Sequence, residues 1–359
     1  MKNFLSFNLP EKVLNSLTRM NFQTPTPIQA EVIPLALQGK DILGSAQTGT
    51  GKTGAFGIPA VARLVNNPQM RVLVLTPTRE LAVQVCEFFK NLTNGQNNLS
   101  HVLLLGGEPI FPQLKKLKTK PRIIVGTPGR INDHLTRKSL NLSDVEMVVI
   151  DETDRMLDMG FGIQIESIMK CLPAKRQTLM FSATFPAGSI KLAEKYMNKP
   201  ERIAVGKTNA PTLNIDQKVL HTPHAKKYQG LVQELSSRTG SVIVFVNTRR
   251  GAETLAQKLK DQSHSVNVLH GNLQQNKRKY IINDFRKKSF RIMVATDVAA
   301  RGLDVPHIEH VINYELPNCP EDYVHRIGRT GRAEAKGSAI SLVTPEETGK
   351  WRRIKKFVS

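Results

Sequence analysis

The run Ala46-Gln47-Thr48-Gly49-Thr50-Gly51-Lys52-Thr53 combines two glycines, a lysine and a hydroxyl in a spacing that can grip phosphate. An apolar stretch with the character of a strand, Asp41 to Ser45, precedes it, and Gly54-Ala55-Phe56 can open a helix behind it. Small residues at a strand-to-helix turn let backbone N–H groups converge on an anion at the positive end of the helix. In such a loop Gln47, Thr48, Gly49, Thr50 and Gly51 form the cradle, Lys52 reaches the outer phosphates and the Thr53 hydroxyl ligates Mg²⁺. The usual pattern, G-x-x-x-x-G-K-[ST], has glycine where Ala46 stands.

Asp151-Glu152-Thr153-Asp154 ends a second apolar run, Glu146 to Ile150, whose continuity predicts a strand buried on both faces. Carboxylates at a strand's C-terminal end lie where open α/β sheets bind their ligands. Asp151 is therefore expected to hold the Mg²⁺ shell, and Glu152 to orient or deprotonate the attacking water. Alone, an Asp-Glu pair reads as a solvated turn. Together with the loop at 46–53 it reads as the second half of a nucleoside triphosphatase site that uses Mg²⁺.

These residues need a frame, and the chain supplies one twice. Before Lys207, valine- and isoleucine-rich runs recur at Arg71 to Thr76, His101 to Leu105, Arg122 to Val125, Glu146 to Ile150 and Thr178 to Phe181, with helical patterns between them. After Asp216 the rhythm restarts at Ser241 to Val246, Ser265 to Leu269, Arg291 to Ala295, His310 to Tyr314 and Ser338 to Val343. Strands alternating with helices predict parallel sheets. The expected organisation is two α/β domains, 1–207 and 217–359, joined by a polar, Gly- and Pro-containing linker at 208–216. No sequence repeat relates the halves, so any duplication is structural only. Polar, glycine-containing clusters follow most strands, and the two resulting edges are expected to face each other across a cleft that holds the nucleotide.

Charge identifies the class of partner. The chain carries 51 Lys plus Arg against 30 Asp plus Glu, a net +21. Divided at Lys207, the first part holds 26 basic and 16 acidic residues, net +10, and the remainder 25 and 14, net +11. Both halves attract polyanions, unlike a neutral enzyme with a basic tail. Cys86, Cys171 and Cys319 are odd in number, far apart and without a C-x-x-C pair, which suggests neither a disulfide framework nor a zinc site. No apolar run approaches a membrane span and the first residues lack a secretory pattern, so the cytoplasm is the expected compartment, with no membrane partner.

In order along nearly the whole chain, the motifs resemble those of the DEAD-box ATP-dependent RNA helicases of superfamily two. They are Phe22 with Thr24 to Gln29, the phosphate loop, Pro77 to Ala82, Thr127-Pro128-Gly129-Arg130, Asp151 to Asp154, Ser182-Ala183-Thr184, Ala295 to Val305 and His325 to Arg332. The segment Asp154 to Phe161 looks like the bacterial RhlE-type subgroup. The resemblance implies two tandem RecA-like domains with ATP and RNA sites in the interdomain cleft, a monomeric core, and RNA-stimulated hydrolysis of ATP to ADP and phosphate with local unwinding of short duplexes. It implies that Gln29 pairs with the adenine edge, Phe22 packs against its ring, and Asp304 contacts the ribose. Arg329 and Arg332 would be arginine fingers, catalytic together with Lys52, Asp151 and Glu152. Ser182, Thr184 and His325 would couple hydrolysis to domain closure. The implied RNA contacts are Thr78, Arg79, Gly107, Thr127 and Arg130 in the first domain, and Thr248, Arg249, Gln275, Arg278, Arg301 and Gly302 in the second. Most of these donate to phosphate, so little sequence specificity is expected.

Several positions depart from the family. Thr153 replaces the alanine of the signature, Asn21 stands where glycine commonly precedes the aromatic residue, Asn272 replaces an aspartate, and Glu334 and Ala335 follow Arg332 where a glycine and a basic residue are usual. Thr153→Ala is expected to be nearly neutral unless the hydroxyl bonds Ser182, Thr184 or His325. Two rival readings remain: a DNA translocase of the same superfamily, and an ATP-dependent RNA clamp or ribonucleoprotein remodelling factor with little unwinding.

Overall fold

Runs such as Arg71-Val72-Leu73-Val74-Leu75 have no polar face to offer water, so they are stable only with both faces covered. The computed structural model meets that demand in each half of the chain; it describes residues 3–46, 49–94, 98–182, 187–205, 215–300, 305, 307–331 and 336–358. The chain divides into two compact units, Met1–Thr208 and Asn209–Ser359. Among the described residues, no helix is long and apolar enough to cross a membrane.

The first unit carries β1 (Ile42–Ala46), β2 (Arg71–Leu75), β3 (His101–Leu104), β4 (Ile123–Gly126), β5 (Val145–Ile150), β6 (Gln177–Ser182) and β7 (Glu201–Val205). The second carries β8 (Ile215–His221), β9 (Ser241–Val246), β10 (Val266–Leu269), β11 (Ile292–Thr296), β12 (Ile308–Asn313) and β13 (Gly337–Val343). The sheets run β3-β4-β2-β5-β6-β1-β7 and β10-β11-β9-β12-β13-β8. Neighbouring strands pair in parallel throughout. Matching β8 to β1, β9 to β2 and so on makes the six-strand order identical in both units. The duplication is thus one of topology, with β7 added to the first sheet.

Alternate residues of each strand enter different cores. Val72, Val74, Val149 and Phe181 join one cluster while Leu73, Leu75, Val148 and Ile150 join the other. In the second unit Ile243 and Phe245 face one cluster, Val242 and Val244 the opposite one.

Two strands escaped the sequence reading. β7 and β8 lie at sheet edges and bury chiefly Ile203 and Ile215, so their polar residues hide the strand pattern. Ile215 and Asp216, expected in the linker, already belong to β8. The rest of that segment, 208–214, lies outside the described residues.

Candidate functional site

Strand order sorts the candidate residues. β5, β6 and β1 are consecutive in the first sheet, and their C-terminal ends carry Asp151, Ser182 and the phosphate loop. β3, β4 and β2 are also consecutive, and are followed by Gly107, Thr127 and Thr78-Arg79. One half of the sheet edge therefore carries the nucleotide candidates and the other half the RNA candidates.

The helix Lys52–Asn66 starts at Gly51, whose φ of 94° glycine adopts without strain. Lys52 is buried, and its Nζ donates to the Ala46 carbonyl at 2.7 Å. The loop is braced from the helix Pro27–Leu37, where Thr26 is the N-cap and Pro27 fills the first turn. Gln29 Oε1 accepts from the Thr26 N–H at 3.0 Å, and its Nε2 donates to the Gly51 carbonyl at 3.0 Å. A Cβ on Gly51 or Gly54 would come within 2.6 or 2.5 Å of that nitrogen, so both glycines make room for the amide. Phe22 joins an aromatic cluster, its ring 6.2 Å from Phe4 and 6.0 Å from Phe88. Asn21 has a φ of 58°, the left-handed conformation Asn tolerates in glycine's place.

Asp151 is buried at the end of β5, where its N–H donates to the Leu75 carbonyl at 3.0 Å and its Oδ1 accepts from the Glu152 N–H at 3.0 Å. Burial pushes its carboxyl up to about 7; Glu152 and Asp154 push the same way, while Lys52 and the Glu152 N–H oppose them. Glu152 adopts φ 54°, a left-handed backbone roughly 1–2 kcal/mol above the relaxed one. Its Oε2 is buried with no hydrogen-bond partner among the described residues. An acceptor left in that state is expensive to bury.

Thr153 is fully buried. Its hydroxyl is directed at the Ile150 carbonyl at 3.2 Å and the Phe181 carbonyl at 3.3 Å, not at Ser182. The link to Ser182 comes instead from the Asp154 N–H, which donates to its Oγ at 3.4 Å.

On the other half of the edge, Thr78 caps the helix Arg79–Leu92 by accepting from the Leu81 N–H at 3.3 Å. The Arg79 guanidinium lies against Gly107, where a Cβ would come within 2.3 Å of its Nη1. Arg130 donates through Nη2 to the Glu108 carbonyl at 3.0 Å, and its Nη1 is buried with no partner among the described residues. Thr127 occupies the N-cap position of the helix Pro128–Thr136, without a side-chain cap hydrogen bond. The Gly107-Glu108 turn after β3 thus gathers Arg79 from the segment after β2 and Arg130 from the segment after β4.

The second unit repeats the device. Thr248 accepts from the Gly251 N–H at 3.0 Å at the start of the helix Arg249–Asp261, which makes Thr248-Arg249 the counterpart of Thr78-Arg79. Gln275 and Arg278 lie on the helix Gln275–Arg286 and are largely buried. His325 lies in the last turn of the helix Pro320–Ile327, and Arg329 Nε donates to its carbonyl at 3.1 Å. Gln47, Thr48, Thr184, Arg301, Gly302, Asp304 and Arg332 lie outside the described residues.

The sequence reading passed over Arg326, which is 1% exposed. Its guanidinium forms a fork with both Asp297 oxygens at 2.6 and 2.7 Å, donates to Asn247 Oδ1 at 2.9 Å and to the Glu315 carbonyl at 2.5 Å, and lies over the Phe245 ring. It ties the C-terminal ends of β9, β11 and β12 together. Its position inside the His325 to Arg332 run was the available signal; its burial was not.

Comparison with known proteins follows this geometry. Residues 26–192 match the family described as DEAD/DEAH box helicase, and residues 226–334 the helicase conserved C-terminal domain. The chain is 45% identical to the DEAD-box ATP-dependent RNA helicase CshA of Geobacillus kaustophilus, over 99% of this chain and 76% of that protein. It is 44% identical to CshA of Bacillus subtilis, over 98% and 71%. These relatives carry the CshA name, not the RhlE one. Among solved structures it is similar to S. cerevisiae Dbp5 bound to RNA and ADP BeF3, with a TM-score of 0.90 and 32% identity over 99% of this chain and 93% of that one. It is similar too to the DEAD-box helicase Mss116 bound to ssRNA and UDP-BeF, with a TM-score of 0.92 and 30% identity over 99% and 78%. The chain belongs to the DEAD-box ATP-dependent RNA helicases.

Proposed function

We propose that this chain hydrolyses ATP to ADP and phosphate when RNA is bound and uses the cycle to open short RNA duplexes locally. One observation carries the reading: a buried Asp151-Glu152 pair, with a Glu152 oxygen that has no partner among the described residues, at the end of the strand two places from the one that feeds the phosphate loop. In that arrangement Lys52 exchanges the Ala46 carbonyl for the outer phosphates, Gln29 reads the adenine edge beside Phe22, and Glu152 orients the water and takes up its proton. The donor set fits Mg²⁺, because Asp151 and Thr53 offer hard oxygens and this ion keeps several waters and phosphate ligands rather than a full protein cage. When bound, it supplies positive charge against the phosphate oxygens. Arg329 and Arg332 serve as fingers for the developing charge, Asp304 contacts the ribose, and Ser182, Thr184 and His325 couple turnover to closure. Arg79 and Arg130, with Thr78, Gly107 and Thr127, hold the RNA backbone alongside Thr248, Arg249, Gln275, Arg278, Arg301 and Gly302. The cytoplasm is the compartment that this reading suits.

Steady-state ATP hydrolysis measured without nucleic acid, with single-stranded RNA and with single-stranded DNA tests it. Stimulation by RNA alone is the expected result. Equal stimulation by DNA would transfer the chain to the translocase reading, and no stimulation by either would sink the RNA-coupled cycle.

A further inference from the structure

We propose that a groove on the first unit, between the helix Ile110–Leu117 and the turn that follows Thr136, docks an acidic peptide segment of a partner protein through apolar anchors. The groove has a volume of about 540 Å³ and is lined by Phe111, Leu114, Leu117, Lys115, Lys118 and Ser139. Phe111 is 79% exposed, so a large aromatic ring stands in water beside the half-buried Leu114, with the buried Leu117 also lining the groove. A contiguous exposed apolar surface rimmed by polar residues marks an interaction site.

Charge decides the occupant. Lys115 and Lys118, both exposed, line the groove. Among the described residues neither of these lysines forms an ion pair; the nearby Asp133 is taken by Arg137 at 2.7 Å. A partner with carboxylates around a Leu or Phe satisfies rim and floor together, in the manner of short segments that insert anchors into a groove. RNA phosphate would satisfy the lysines and leave the exposed Phe111 ring uncovered.

The groove is also preformed, which lowers the ordering cost of binding. Gln113, on the opposite face of the helix, accepts from the Leu105 N–H at 3.3 Å and donates to the carbonyls of Leu105 at 3.1 Å and Pro109 at 3.2 Å. His134 Nε2 lies 3.3 Å from Gln113 Oε1 and its Nδ1 2.8 Å from the Ser139 hydroxyl, so one chain of polar contacts fixes both walls.

The test is fluorescence anisotropy with a short labelled peptide in which Glu and Asp flank a Leu and a Phe four positions apart. The full chain should bind it with micromolar affinity, and Phe111→Ser and Lys115→Glu/Lys118→Glu should each weaken it about tenfold, the size of one lost anchor or charge cluster. The same peptide with serine at its anchors should bind the unaltered protein as weakly as the original binds Phe111→Ser. A charge-inverted peptide, Lys for Glu and Asp with both anchors kept, should bind the Lys115→Glu/Lys118→Glu protein, which checks that this variant is folded. No binding of the acidic peptide, or full binding without its anchors, overturns the proposal. So does loss of single-stranded RNA affinity in these variants while peptide affinity stays unchanged, since the surface would then be part of the RNA path.

Discussion

The Gln29 side-chain amide donates to the Gly51 carbonyl at 3.0 Å and thereby fastens the helix Pro27–Leu37 to the loop that precedes Lys52. The contact exists because Gly54 keeps the space open: a Cβ there would lie 2.5 Å from Gln29 Nε2. Gly54→Ala should leave the fold intact, because the flexible end of Gln29 can swing aside, and should reduce the preference for ATP over GTP about tenfold, the worth of one hydrogen bond in a buried pocket. Competition binding with both nucleotides measures it. An unchanged preference would remove Gln29 from base recognition.

Lys52 and Glu152 separate binding from turnover. Lys52→Ala removes the cation proposed to reach the outer phosphates and should abolish ATP binding, whereas Glu152→Gln keeps the buried volume and removes only the proposed proton acceptor. The second variant should retain ATP and RNA while turnover falls by two orders of magnitude or more, on the order of 10²–10⁴ for a lost general base. Normal turnover by Glu152→Gln would end the water-orienting assignment.

Thr153→Ala tests whether the family's spelling matters. The hydroxyl serves the Ile150 and Phe181 carbonyls at 3.2 and 3.3 Å, so its loss should lower stability by about 1 kcal/mol and leave RNA stimulation of hydrolysis unaltered. Urea unfolding and an RNA titration of the ATPase rate give the two readouts. A shifted RNA titration at unchanged stability would revive a coupling role.

Asp151 makes stability depend on pH. Its folded pKa of about 7 lies above the unfolded carboxylate value, so the folded state binds the extra proton and the resulting stability is lost as pH rises through about 7. Without added nucleotide or metal, Asp151→Asn should therefore melt higher than the unaltered protein at pH 8, and the gap should close toward pH 5. Thermal melts across that range check it. A gap that is constant or widens on acidification contradicts the burial argument.

Gly107→Ala should act on RNA alone. A Cβ there would lie 2.3 Å from Arg79 Nη1, and Gly107 has a φ of 73°, which disfavours any side chain. RNA affinity should fall about tenfold and the slope of log affinity against log salt should shrink by about 0.7, one phosphate contact, with ATP affinity unchanged. Equal losses for ATP and RNA would show that the substitution disturbs the sheet edge as a whole.

Local chemistry made much of this legible in the sequence alone. Buried parallel strands betray themselves by unbroken apolar runs, so β2, β5 and β9 could be read, and with them the loops that must follow. Glycine spacing around Lys52, the carboxylates after β5, and the Thr26-Pro27 helix start are signals confined to a few consecutive residues. What depends on two distant segments was not readable. β7 and β8 become strands only because β1 and β13 offer them hydrogen bonds, since their own side chains are largely polar. The common strand order of the two sheets leaves no trace in residue identity, because topology constrains which strands are neighbours and not which amino acids fill them. Arg326 reads as one more surface cation until Asn247, Asp297 and Glu315 are brought around it. Tertiary structure decided the partners of Thr153 as well, since only folding brings the Phe181 carbonyl within reach of its hydroxyl.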